Sequence, residues 1–137
     1  MSSLSSLLGN VMAVFEAHPT CQKATVVETK VFSSDQFFFK VRADFMRGSY
    51  FQARIYYNQG HIDYAYQLFA RVPTLRWDNK EEFRYLKSYP HHQHDDKGKV
   101  KASPLTGDPL KDIKFVLHEV DVYLSDKIER KDGCDLG

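Results

Sequence analysis

Apolar residues recur along this chain with a period that changes twice. Leu4, Leu7, Leu8, Val11, Met12 and Phe15 follow the i, i+3, i+4, i+7 spacing of one helical face. Ser2 or Ser3 can cap that helix, Gly9 weakens it without ending it, and Pro19 stops it. From Thr25 the period drops to two: Val27, Thr29 and Val31 share one face while Glu28 and Lys30 take the other. The alternation continues through Phe37–Ala43, Tyr50–Tyr57 and Ile62–Arg71, where Ile62, Tyr64, Tyr66 and Leu68 lie on one side. Ser33-Ser34-Asp35, Arg47-Gly48-Ser49 and Asn58-Gln59-Gly60 read as turns. Connections this short impose antiparallel neighbours, because a parallel crossover needs about a dozen residues. Pro73 interrupts the series, and "TLRWDN" (Thr74 to Asn79) offers a short fifth strand. At Asp108 the helical period returns. Asp108 can cap, Pro109 suits the first helical position, and Leu110, Ile113, Val116, Leu117, Val120, Tyr123 and Leu124 make one apolar face.

The pattern predicts one α+β domain over residues 1–128, with 129–137 a charged flexible tail. An antiparallel β-meander sheet of four to six strands, formed near residues 24–77, packs with an N-terminal helix near 3–17 and a C-terminal helix near 108–126. Two helices laid on one face leave the other carrying Tyr, Arg and Lys. Such a face is a binding surface or a homodimer interface.

Composition narrows the options modestly. The chain has 137 residues, 42% apolar and 27% charged, enough to bury a core without staples. Two cysteines, Cys21 and Cys134, do not make a disulfide framework, so a reducing, cytoplasmic location is expected. The first residues lack the basic flank and apolar block of a signal peptide, and no run is long enough for a membrane helix. A net charge of +1 means that a nucleic-acid partner must be met by a local patch.

Chemistry concentrates in "SYPHHQHDDKGKV" (Ser88 to Val100), which holds three of the six histidines. In an extended segment His92 and His94 share a side and His91 points away. Two imidazoles are half of a zinc site, which Asp95, Asp96 or Asp78 could complete, but no second ligand pair stands at a recognised spacing. A solvated hairpin is the plain alternative. Proton transfer is the third reading: His91, His92 and His94 supply groups that titrate near neutrality. Arg76, Lys99 and Lys101 supply cations for a phosphate. Trp77, the only tryptophan, can stack on a base or fill the edge of the core. The lysines at 97, 99 and 101 would repel a metal cation and favour an anionic substrate, so no metal and no cofactor is expected.

The order of "RWDN" (Arg76 to Asn79), "YPHHQH" (Tyr89 to His94), "KVKAS" (Lys99 to Ser103) and a final amphipathic helix resembles the TumE family, as does "YAYQL" (Tyr64 to Leu68). The likeness extends from about Val26 to Leu124. In that family the Arg-Trp-Asp-Asn block is commonly followed by an Ala-Pro-His-His type of continuation; here Lys80-Glu81-Glu82-Phe83 follows. The resemblance implies a bacterial toxin of a type II toxin–antitoxin pair, acting on RNA or translation and neutralised by a cognate antitoxin protein. Joined to the histidines and cations, it makes a metal-independent endoribonuclease the leading expectation. The alternatives are a non-catalytic module binding protein through the aromatic face, and a metal-dependent hydrolase.

Overall fold

A computed structural model describes the backbone of residues 3–136 and the side chains of residues 3–127. Helix α1 (Leu4–Ala17) leads into seven strands: β1 (Lys23–Ser33), β2 (Gln36–Asp44), β3 (Tyr50–Asn58), β4 (His61–Ala70), β5 (Val72–Asp78), β6 (His92–His94) and β7 (Val100–Ala102). Helix α2 (Pro109–Leu136) closes the chain. Every strand pairs antiparallel with its neighbour in sequence, giving the sheet order β1 to β7.

The expected α+β architecture is present, with one correction. The sheet has seven strands instead of four to six and extends past residue 77 to Ala102. The additional strands are three residues each and lie in a polar stretch too short to display a period. The tail expected over 129–137 falls on residues whose side chains lie outside the described set; the α2 backbone is helical to Leu136.

Local chemistry explains the joints. The Ser3 hydroxyl caps α1 by accepting from the Ser6 N–H at 3.1 Å, and Asp108 accepts from the Leu110 N–H at 3.1 Å where α2 begins. Between β3 and β4, Gln59 and Gly60 take φ of 50° and 88°. Two left-handed residues in a two-residue loop match the twist of the strands they join.

Alternation along β2 to β5 turns Phe37, Phe39, Val41, Phe51, Ile55, Tyr66, Leu68 and Trp77 to one side. Leu7, Val11 and Phe15 of α1 and Ile113, Val116, Leu117 and Val120 of α2 bury their stripes there. The rings of Phe15 and Phe51 lie 5.8 Å apart. The helices meet beyond the sheet, where Asp121 accepts from Thr20 at 2.6 Å and contacts His18 Nε2 at 2.8 Å. Among the described residues, no helix covers the opposite face. The ladder aligns Lys40, Arg54, Ala65, Asp78 and His92 in one row, and Arg42, Gln52, Gln67, Arg76 and His94 in the next. Arg42 lies 3.9 Å over Tyr50, and Arg54 lies 5.6 Å over Phe38. The aromatic and basic mixture expected of an uncovered face is there.

Candidate functional site

The two rows of the open face end in a cluster of unlike charges. Arg76, Asp78, His92 and His94 come together because β5 and β6 pair Arg76 with His94 and Asp78 with His92. Residues directly opposed on an antiparallel ladder project to the same side. The 13-residue connection between these strands, residues 79–91, folds back over them. Its Phe83 ring lies 4.6 Å from His92 and 6.0 Å from His94, edge-on to both. The cover explains how a carboxylate and an imidazole become buried on a face without helices. The Asp78 side chain is 6% exposed and His92 1%, whereas His94 keeps 29% and Arg76 40%.

Asp78 is the hub. Its Oδ2 accepts from Arg76 Nε at 2.8 Å and its Oδ1 accepts from the Lys80 backbone N–H at 3.0 Å. His92 Nε2 lies 3.0 Å from Oδ1, and His94 Nε2 lies 3.9 Å from Oδ2. Gln67 supports Arg76 by accepting from Nη1 at 3.3 Å. Asn79 anchors the exit of β5: its Oδ1 accepts from the Tyr64 N–H and its Nδ2 donates to the Ile62 carbonyl. On the far side, Nδ1 of His92 donates to the Pro90 carbonyl at 3.1 Å. Burial, followed by the neighbouring His92, lowers the pKa of His94 against the opposing pull of Asp78. A cleft of about 290 Å³ opens beside the carboxylate, lined by Asp63, Ala65, Arg76, Asp78, Lys80 and Glu81 among others.

The residues singled out in the sequence divide between the two faces. Arg76, His92 and His94 are united. His91 leaves them: it points toward the helix-covered side, where its Nδ1 shares a hydrogen with the Tyr64 hydroxyl at 2.8 Å and its ring stacks on Tyr64. Burial, ahead of the opposing Asp112, lowers its pKa too. Trp77 is 2% exposed and belongs to the core, so it fills the core instead of offering a face to a base. Lys101 pairs with Gln93 and therefore projects to the face opposite His92 and His94. Lys99 sits in the β6–β7 hairpin, where its N–H and that of Lys97 both donate to Asp95 Oδ1. These two lysines shape a turn, and Asp95 is committed to it.

Two members of the cluster carried little signal. Asp78 stood only among three possible metal donors, and Phe83 appeared only as the end of the Lys80-Glu81-Glu82-Phe83 stretch that departs from the family's continuation. Of the three aspartates, Asp78 is the one that converges with the imidazoles; Asp96 faces Tyr123 and Lys127.

Comparison with known proteins adds one finding. The family model described as Toxin TumE matches residues 12–124, most of the chain. Neither a curated protein nor a solved structure matches it.

Proposed function

The chain belongs to the TumE toxin family, and from that premise we propose that it is the toxin of a type II toxin–antitoxin pair, attacking RNA at the Arg76–Asp78–His92–His94 cluster. One observation carries the reading: a guanidinium, a carboxylate and two imidazoles converge at the end of an uncovered, basic and aromatic sheet face. Arg76 offers a planar fork for a phosphate oxygen, with its guanidinium partly exposed while Nε is anchored on Asp78. Arg54 and Arg42, the latter tied through Nε to Asp44 at 2.9 Å, carry guanidinium groups on across β3 and β2. Phe38, Tyr50, Tyr56 and Phe69 interleave with them as half-buried rings able to stack on bases. The cognate antitoxin is the protein partner this reading requires. Among the described residues, no helix is long and apolar enough to cross a membrane.

Expression in a bacterial host tests the proposal. Wild-type protein should arrest growth and deplete cellular RNA or stall translation. His94→Ala should relieve the arrest while leaving the melting temperature nearly unchanged, because that side chain is partly exposed. The Arg42→Ala, Arg54→Ala double variant should bind single-stranded RNA more weakly, with the slope of log K against log salt reduced by about 1.4. Arrest that survives His94→Ala overturns the catalytic reading. RNA binding without cleavage by the purified protein would favour a non-catalytic binding module.

A further inference from the structure

We infer that Asp78, His92 and His94 form a binding site for a first-row divalent cation, zinc foremost. The inference deepens the RNA reading by naming what the cluster holds, but the site's existence rests on geometry alone. The three donor atoms lie within 4.8 Å of one another. Zinc bonds of about 2.0–2.1 Å at tetrahedral angles place neighbouring ligand atoms roughly 3.3–3.4 Å apart. Asp78 reaches His92 Nε2 through Oδ1 at 3.0 Å and His94 Nε2 through Oδ2 at 3.9 Å, so the carboxylate faces both imidazoles, and closing on an ion requires the donors to draw together by up to about 1.5 Å from the 4.8 Å limit.

His92 supplies the independent observation. A carbonyl oxygen can only accept, so the contact to Pro90 puts a hydrogen on Nδ1. In the neutral ring Nε2 is then a bare lone pair. That atom is fully buried and has no hydrogen-bond partner, although a carboxylate oxygen lies 3.0 Å away. The hydrogen-bond direction misses the oxygen. A cation lying off the line between Nε2 and Oδ1 would meet a lone pair from each. A backbone carbonyl on the other ring nitrogen is also how a metal-binding histidine is usually oriented.

The surroundings fit a site with an open position. Arg76 and the Lys80 N–H each occupy one lone pair of the Asp78 carboxylate, fixing its plane and leaving lone pairs on both oxygens. Phe83 covers the imidazoles on one side. The partial exposure of His94 and Arg76 leaves the other side open to water or a phosphate oxygen. Two histidines and one carboxylate with an open position suit zinc or ferrous iron.

The reasons for expecting no metal lose their force at this site. The third donor, Asp78, comes from a buried strand position, Lys101 projects to the opposite face, and Lys97 and Lys99 belong to the β6–β7 hairpin. For His92 and His94, the role becomes ligation instead of proton transfer.

Full-length protein stripped with EDTA and titrated with Co²⁺, without RNA, tests the site. Visible d–d absorption should saturate at one ion per chain, and Zn²⁺ should displace it, being the tighter binder at such sites. His94→Ala and Asp78→Asn should each weaken binding by about a hundredfold or more. His118→Ala, on an exposed position of α2, should change nothing. Circular dichroism of each variant separates loss of ligation from loss of fold. Absence of stoichiometric binding in folded wild-type protein overturns the site, as does undiminished binding by folded His94→Ala. Zinc binding by a protein that leaves RNA intact would sink the RNA reading and leave the metal site standing. RNA cleavage persisting in EDTA by a protein that takes up no cobalt would do the reverse.

Discussion

The two faces of this sheet place neighbouring residues of one short strand in opposite environments. Trp77 enters the apolar layer beneath the helices; Asp78, the next residue, joins Arg76 and two imidazoles on the uncovered side. Histidines of one tetrapeptide divide in the same way, His91 toward Tyr64 and His92 and His94 toward Asp78. Stability and chemistry are thus written in alternate positions. A substitution's consequence should depend on parity along the strand more than on distance from the site.

The strongest test of that division is Trp77→Ala. Truncating a buried tryptophan should cost about 3–5 kcal/mol in urea unfolding, whereas Arg54→Ala on the open face should stay within about 0.5 kcal/mol. Comparable losses would mean that the open face is covered after all.

A finer test uses the histidines. His91→Ala removes a hydrogen bond and a stacked ring from Tyr64, a loss of about 1 kcal/mol, and should leave growth inhibition intact. His94→Ala should show the converse. If His91→Ala relieves toxicity at an unchanged melting temperature, the face-by-face division fails.

The smallest effect concerns Cys21, between α1 and β1. Burial raises its thiol pKa above the ordinary thiol range, against a backbone hydrogen bond at Lys23 that lowers it, with Asp44 and Glu16 adding to the rise. A raised pKa means less thiolate at pH 8. In a Cys134→Ser background, iodoacetamide should therefore label Cys21 more slowly than an unstructured cysteine peptide, and its rate should rise with pH later than the peptide's does. Labelling at the peptide's rate would show that water reaches this edge of the helix-covered side freely.

Much of the fold was legible because burial leaves a period. Leu110 to Leu124 and the alternation from Phe37 to Leu68 announce the second helix and three strands. The candidate site was only half legible. The relation between His92 and His94 follows from alternation alone, but their meeting with Asp78 depends on the register across a 13-residue connection, which no local pattern encodes. Phe83 was hidden for the same reason: it is an isolated ring among Lys80, Glu81, Glu82 and Arg84, and its value lies in where the connection folds. At the end of the expected fifth strand, Asn79 ties its side chain to the β4 backbone and prolongs the pairing beyond the last strand residue.

The unbroken order of the sheet has a kinetic consequence. Because each strand is bonded to its neighbour in sequence, the meander can form one hairpin at a time, and most loop closures are short. Two events require longer closures: β6 must find β5 across the 79–91 connection, and α2 must return to α1, where Thr20 and His18 meet Asp121 more than one hundred positions away. The donors of the candidate site depend on the first of these. A nascent chain would therefore complete strands β1 to β4 before the residues proposed to do chemistry are brought together.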